Sequence, residues 1–178
     1  PPIPEPGAKI CCSWTVTAWD PMLQAKSLNY WSRRLAYEGA RRLGFDETLS
    51  RDELGTIYEG SRTNLFLVQG GRLITPATQR NDGRAAPLLA GIMRGVVVER
   101  AEELGMKVEQ AEAVTADRIV SADECFLTNA VRGIIPVARF ESSVAREPEA
   151  FRNFESPGPI TLRLMAHLDA WLRSEDAR

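Results

Sequence analysis

The spacing of apolar residues changes period several times along the chain, and each change predicts an element. Lys9 to Trp19 is dense in β-branched, aromatic and cysteine side chains and predicts a strand that stops near Asp20-Pro21. From Leu28 the period becomes helical, with Leu28, Trp31 and Leu35 on one stripe, Ala36, Ala40 and Leu43 beside it, and Gly44 as the left-handed stop. Phe45 to Ser50, Thr56 to Glu59, Thr63 to Val68 and Arg72 to Thr75 then predict short strands. Arg51-Asp52-Glu53-Leu54-Gly55 supplies the first turn of this meander, and Gly70-Gly71 a tight hairpin.

Pro76 to Pro87 holds Asn81-Asp82-Gly83 and predicts a long loop, of the kind that often carries function. A second helix is expected from about Leu89 to Leu104, with Met93, Val97, Ala101 and Leu104 on one face and Gly105 closing it. Lys107 to Val114 reads as a strand and Thr115 as the cap of a short helix carrying Asp117 and Arg118. Asp123 to Asn129 and Ile134 to Phe140 read as strands separated by Arg132-Gly133, and Glu141 to Ser156 as polar and irregular. Pro157-Gly158-Pro159 opens a last helix with Leu164, Leu168, Trp171 and Leu172 as its stripe and His167 beside it. Strands and helices mixed around a central meander predict a single α/β or α+β layered domain rather than a doubly wound sheet.

Composition narrows the chemistry. The net charge is −2 with no basic run, so the clustered positive face that nucleic acid requires is missing. No stretch has the apolar length a bilayer demands and no leader pattern is present, so a cytoplasmic protein without membrane contact is expected. Cys11, Cys12 and Cys125 give neither a disulfide framework nor a zinc spacing, and read as buried fillers. His167 is the single histidine, which removes histidine triads and multi-histidine metal sites and leaves no metal centre expected. Acid-base chemistry then falls to lysine, carboxylates, tyrosine or a cofactor. The opening Pro1-Pro2-Ile3-Pro4-Glu5-Pro6-Gly7 has linker composition and is expected to continue from something upstream.

Lys26, in Ala25-Lys26-Ser27-Leu28-Asn29-Tyr30, sits where an extended run gives way to a helical pattern, a place where an amine can be held and partly desolvated. Glu59 lies at the end of a predicted strand beside Gly60. A lysine with a separate carboxylate is what a pyridoxal-phosphate site uses, one for the cofactor's aldehyde carbon and one for its ring nitrogen. A solvent-facing edge glutamate is the competing reading. Leu89-Ala90-Gly91-Ile92-Met93 places a glycine at a helix start, where unpaired N–H groups and the helix dipole favour a phosphate. Leu127-Thr128-Asn129-Ala130 offers a hydroxyl and an amide at a strand end, either as a second wall for that anion or only to satisfy a turn.

In this order these blocks resemble the class IV (fold-type IV) pyridoxal-phosphate enzymes, which include branched-chain and D-amino acid aminotransferases and aminodeoxychorismate lyases. The resemblance runs from about Lys9 to Phe140 and resumes at Pro157-Gly158-Pro159-Ile160-Thr161. It implies the large C-terminal domain of that fold, a mixed-sheet pseudo-barrel with flanking helices, with residues 1–20 as linker and first strand and residues 21–178 as the cofactor-binding domain. It also implies Lys26 as the amine that holds pyridoxal 5'-phosphate and shuttles the proton. Tyr30 is placed near the phenolic oxygen, at a spacing shared by some members, and Glu59 at the ring nitrogen. Gly91 with the Ile92 and Met93 N–H groups is placed at the phosphate, with Asn129 and Ala130 as further phosphate contacts. Aminotransferases of the family carry hydroxyl residues where Met93 and Ala130 stand. That departure, with the wording from Asn129 to Val137, favours a lyase converting 4-amino-4-deoxychorismate to 4-aminobenzoate and pyruvate. An aminotransferase exchanging a branched-chain or D-amino acid with a 2-oxo acid is the alternative, and an inactive fragment a third. The family's smaller N-terminal domain has no counterpart here, and its members pair as homodimers.

Overall fold

The computed structural model describes residues 2–17, 21–142 and 150–174. Strand β1 (Ala8–Thr15) is followed by a 3₁₀ turn (Pro21–Gln24) and helix α1 (Trp31–Arg42), which returns the chain to β2 (Glu47–Arg51). β1 and β2 pair in parallel, and parallel neighbours need such a crossover, so the helix is the leg that brings the chain back. The meander β3 (Ile57–Gly60), β4 (Asn64–Gln69) and β5 (Arg72–Pro76) is antiparallel, with Gly70 and Gly71 at φ +55° and +73° in the hairpin turn. After a loop come α2 (Ile92–Glu103), β6 (Val108–Ala111), α3 (Ala116–Val120), β7 (Glu124–Asn129), β8 (Gly133–Ser142), β9 (Ala150–Asn153) and α4 (Pro159–Arg173).

The sheet order β3-β2-β1-β8-β7-β4, with β4 pairing back to β3, closes a six-stranded barrel. β5 and β6 extend it from β4, and β9 from β8. Both faces of the central strands are buried. Along β4, Leu65 and Leu67 enter one apolar cluster while Phe66 and Val68 enter another; on β7, Cys125 and Leu127 alternate with Phe126 in the same way. Period-two alternation into two cores explains why these strands read as unbroken apolar runs. The second cluster is roofed by α2 and α4 through Val97, Ala101, Leu164 and Leu168. Phe66 stacks on its register partner Phe126 with ring centroids 5.0 Å apart.

Four expectations need correction. α1 begins at Trp31 rather than Leu28, because residues 25–30 fold as tight bends with Ser27 N–H donating to the Ala25 carbonyl and Tyr30 N–H to that of Leu28. Its apolar stripe does not face the core: Leu28 is 104% exposed, Trp31 69% and Leu35 55%, whereas Arg33 and Ala40 turn inward. Leu43 is exposed and Leu172 half-exposed, so those two stripe positions also lie outside the core. Glu141 to Ser156 is not wholly irregular, since β9 pairs with β8 there; residues 143–149 lie outside the described residues. Trp19 and Asp20, where the first strand was expected to stop, also lie outside them, and the strand ends at Thr15. The remaining strands and helices match within a few residues, Thr115 accepts the Arg118 N–H as expected, and Cys11, Cys12 and Cys125 are buried outside any disulfide.

These placements predict contrasting mutational costs. Phe126→Ala should lower unfolding free energy by about 3–5 kcal/mol through cavity formation, and Leu35→Ala should change it by less than about 0.5 kcal/mol. Urea titration checks both, and a large Leu35 effect would contradict an outward-facing stripe.

Candidate functional site

The site grows from the barrel seam. Where β3 meets β4, Glu59 and Asn64 are register partners, and Gly60 keeps the turn between them close: a Cβ there would overlap Thr63 Oγ1. Glu59 is 2% exposed. Its Oε2 accepts the Leu89 N–H at 3.1 Å, and Asn64 Nδ2 donates to the Leu89 carbonyl at 2.9 Å. The end of the long loop is therefore clasped by both seam residues. Two residues on, Gly91 (φ +70°) opens α2, and a Cβ there would run into Asn64 Oδ1. The seam thus fixes where α2 starts and where its first N–H groups, which have no intrahelical acceptor, are aimed.

A cavity of about 810 Å³ lies over this seam, lined by Lys26, Tyr30, Arg33, Glu59, Thr128 and the 89–93 segment, among others. The size suits a cofactor-sized ligand. Every residue expected at the site lines it: Lys26, Tyr30, Glu59, Gly91, Ile92, Met93, Asn129 and Ala130. Their roles divide more finely than the sequence suggested. Lys26 is exposed at the rim. The Asn129 side-chain oxygen is taken by the turn, accepting the N–H groups of Val131 at 3.0 Å and Arg132 at 2.8 Å. Thr128 Oγ1, by contrast, is fully buried on the cavity wall with no hydrogen-bond partner, an orphaned hydroxyl beside the space.

Sequence reasoning missed Arg33. Its guanidinium is buried, donates to Glu59 Oε1 at 2.6 Å, and lies over the rings of Trp14 and Tyr30. The signal was its helical spacing with Ala36 and Ala40, the small-residue face of α1 that packs inward. Two buried carboxylates adjoin the cavity, and they differ. Glu47 is saturated by neutral donors, the N–H groups of Thr48 and Ser61 and the hydroxyls of Ser61 and Thr63, and so acts as a structural anchor. Burial pushes the Glu59 carboxyl up to about 7, against the opposing pull of Arg33 and the Leu89 N–H, with the Glu47 charge adding to the rise.

The family model described as amino-transferase class IV matches residues 1–140. The chain belongs to the class IV aminotransferase family. A putative branched-chain-amino-acid aminotransferase of Methanocaldococcus jannaschii is 34% identical over 139 residues, covering 78% of this chain and 43% of that protein. A putative 4-amino-4-deoxychorismate lyase of Legionella pneumophila superposes with a TM-score of 0.77 at 28% identity, over 96% of this chain and 58% of its own. An aminotransferase of Brucella abortus bound to its cofactor PLP gives 0.79 at 25% identity, over 98% and 57%. The chain spans about half the length of the relatives it matches. The barrel with flanking helices is the family fold.

The Glu59 environment has a consequence for stability. The folded chain holds this proton more tightly than the unfolded chain, so its contribution is complete below the ordinary value of 4.5 and is lost as pH rises through about 7. The urea midpoint should fall between about pH 5 and about pH 8, and Glu59→Gln should flatten that fall. Equal slopes in the two proteins would contradict the assignment.

Proposed function

We propose that this chain binds pyridoxal 5'-phosphate at the seam cavity and forms the cofactor-bearing part of an enzyme that transaminates branched-chain-type amino acids. One observation carries the reading: a single cavity brings together a lysine, a buried carboxylate and a glycine-opened helix start. The donor set fits the cofactor at each end. The first N–H groups of α2 suit a phosphate, the unpartnered Thr128 hydroxyl offers a further donor beside the cavity, and Glu59 retains lone pairs for a ring N–H. When bound, the cofactor supplies an electron-withdrawing ring that accepts the electron pair of a bond broken at the substrate's amine-bearing carbon.

In this reading Lys26 would hold the cofactor through its amine, and that amine would move the proton at the substrate's amine-bearing carbon. Glu59 keeps a proton on the ring nitrogen, and Tyr30 donates near the phenolic oxygen. Gly91, Ile92 and Met93 seat the phosphate through backbone groups, with Asn129 and Ala130 closing the far wall. The names of the sequence relatives, branched-chain-amino-acid aminotransferases, support the aminotransferase as the first reading. The lyase acting on 4-amino-4-deoxychorismate stands second, favoured by the missing hydroxyls at Met93 and Ala130 and by the Legionella neighbour. A homodimer in the cytoplasm belongs to the same reading, with the exposed Leu28, Trp31 and Leu35 as apolar surface at an interface.

Borohydride reduction of the chain with pyridoxal phosphate, followed by peptide mass analysis, should label Lys26 and leave Lys9 and Lys107 unmodified; Lys26→Ala should abolish the label. Equal labelling of the three lysines would defeat the proposal. In activity assays, release of a 2-oxo acid from leucine supports the first reading, and release of pyruvate from 4-amino-4-deoxychorismate supports the second.

A further inference from the structure

Arg33 is the largest commitment of charge to the cavity that the proposed chemistry does not yet use. It leaves the apolar stripe of α1 to solvent and turns inward, 7% exposed. Besides Glu59 Oε1 at 2.6 Å, its Nη2 donates to the Leu23 carbonyl at 3.2 Å. Its Cζ lies 5.3 Å from the Trp14 ring centroid and 5.9 Å from that of Tyr30. Backbone and two aromatic rings thus fix the guanidinium from three directions.

The groups facing Glu59 come from three elements. Arg33 approaches from α1, the Leu89 N–H from the loop before α2, and the Glu47 charge from β2, while Ser50 on β2 bonds the Glu59 backbone carbonyl at 3.1 Å. Among the described residues, Arg33 is the cation that opposes burial at this carboxyl. A buried carboxyl without such a partner stays neutral, and a neutral carboxyl is a poor acceptor for a protonated nitrogen.

We propose that Arg33 is a positioning residue for the cofactor's ring, holding Glu59 as an aimed anion whose remaining lone pairs accept the ring N–H. The inference rests on the reading of Glu59 as the ring-nitrogen partner. It makes one carboxylate the shared acceptor of a fixed guanidinium and a ligand cation. It also assigns to α1 the protonation state of a group that sits on β3.

Carbon-13 NMR of glutamate-labelled 178-residue chain reads the Glu59 titration directly, without cofactor. Arg33→Met should raise the midpoint by about one to three pH units, and Arg33→Lys, which keeps the charge, should stay within about one unit of wild type. Affinity for pyridoxal phosphate at neutral pH should fall about tenfold in Arg33→Met and recover at higher pH. An unmoved midpoint in Arg33→Met overturns the role of Arg33, whereas cofactor affinity unchanged in Glu59→Gln sinks the underlying reading of Glu59. Arg33→Met leaves Glu59 buried without its cation, which costs stability, and here the double variant Arg33→Met/Glu59→Gln decides. It should be more stable than Arg33→Met alone by urea titration, and a double variant no more stable than the single one overturns the pairing.

Discussion

Closure of the barrel between β3 and β4 is the constraint on which the rest of the structure depends. The seam is short, with Glu59 and Asn64 as its register pair, and it would be a weak joint if it carried only backbone bonds. Both side chains instead reach the same loop residue, Glu59 taking the Leu89 N–H and Asn64 holding the Leu89 carbonyl. A closed ring of polar contacts therefore ties sheet closure to the start of α2. The same ring fixes the start of α2 beside the cavity, so the joint that completes the fold also shapes the candidate site.

Around this joint the two legs of the chain contribute different things. The β1-to-β2 crossover carries Lys26, Tyr30 and Arg33 to one side of the cavity, because a parallel pair requires a long return and the helix that makes it must pass over the barrel end. The β7–β8 hairpin supplies the opposite wall. There Asn129 spends its side-chain oxygen on the turn, while the Thr128 hydroxyl beside the cavity is buried without a hydrogen-bond partner. The core beneath is dense on both sheet faces, which keeps these walls fixed relative to one another.

Strand positions were legible because their periodicity is local: the alternation along Leu65-Phe66-Leu67-Val68 and the Gly70-Gly71 turn need no knowledge of the partners. Helix α1 was legible as a helix but not in its orientation. Its most apolar stripe, Leu28, Trp31 and Leu35, faces outward, while a face of small residues with Arg33 packs inward, and hydrophobicity alone ranks those faces the wrong way round. β9 escaped notice because an edge strand of exposed residues lacks the alternating pattern. The candidate site residues were singled out by order and spacing, and they line one cavity. What was missed is pairing through space: the Arg33–Glu59 contact joins residues on different elements, and no spacing rule within one element reports it.

The central claim is that the seam places a phosphate-ready helix start, a ring-facing carboxylate and a reactive lysine around one ligand. A crystal structure of the chain grown with pyridoxal phosphate tests it most directly. The account predicts phosphate density at the Ile92 and Met93 N–H groups, the ring nitrogen within hydrogen-bonding distance of Glu59, and density continuous from the cofactor to Lys26. Cofactor bound elsewhere, or seated here with its ring nitrogen turned away from Glu59, would contradict it.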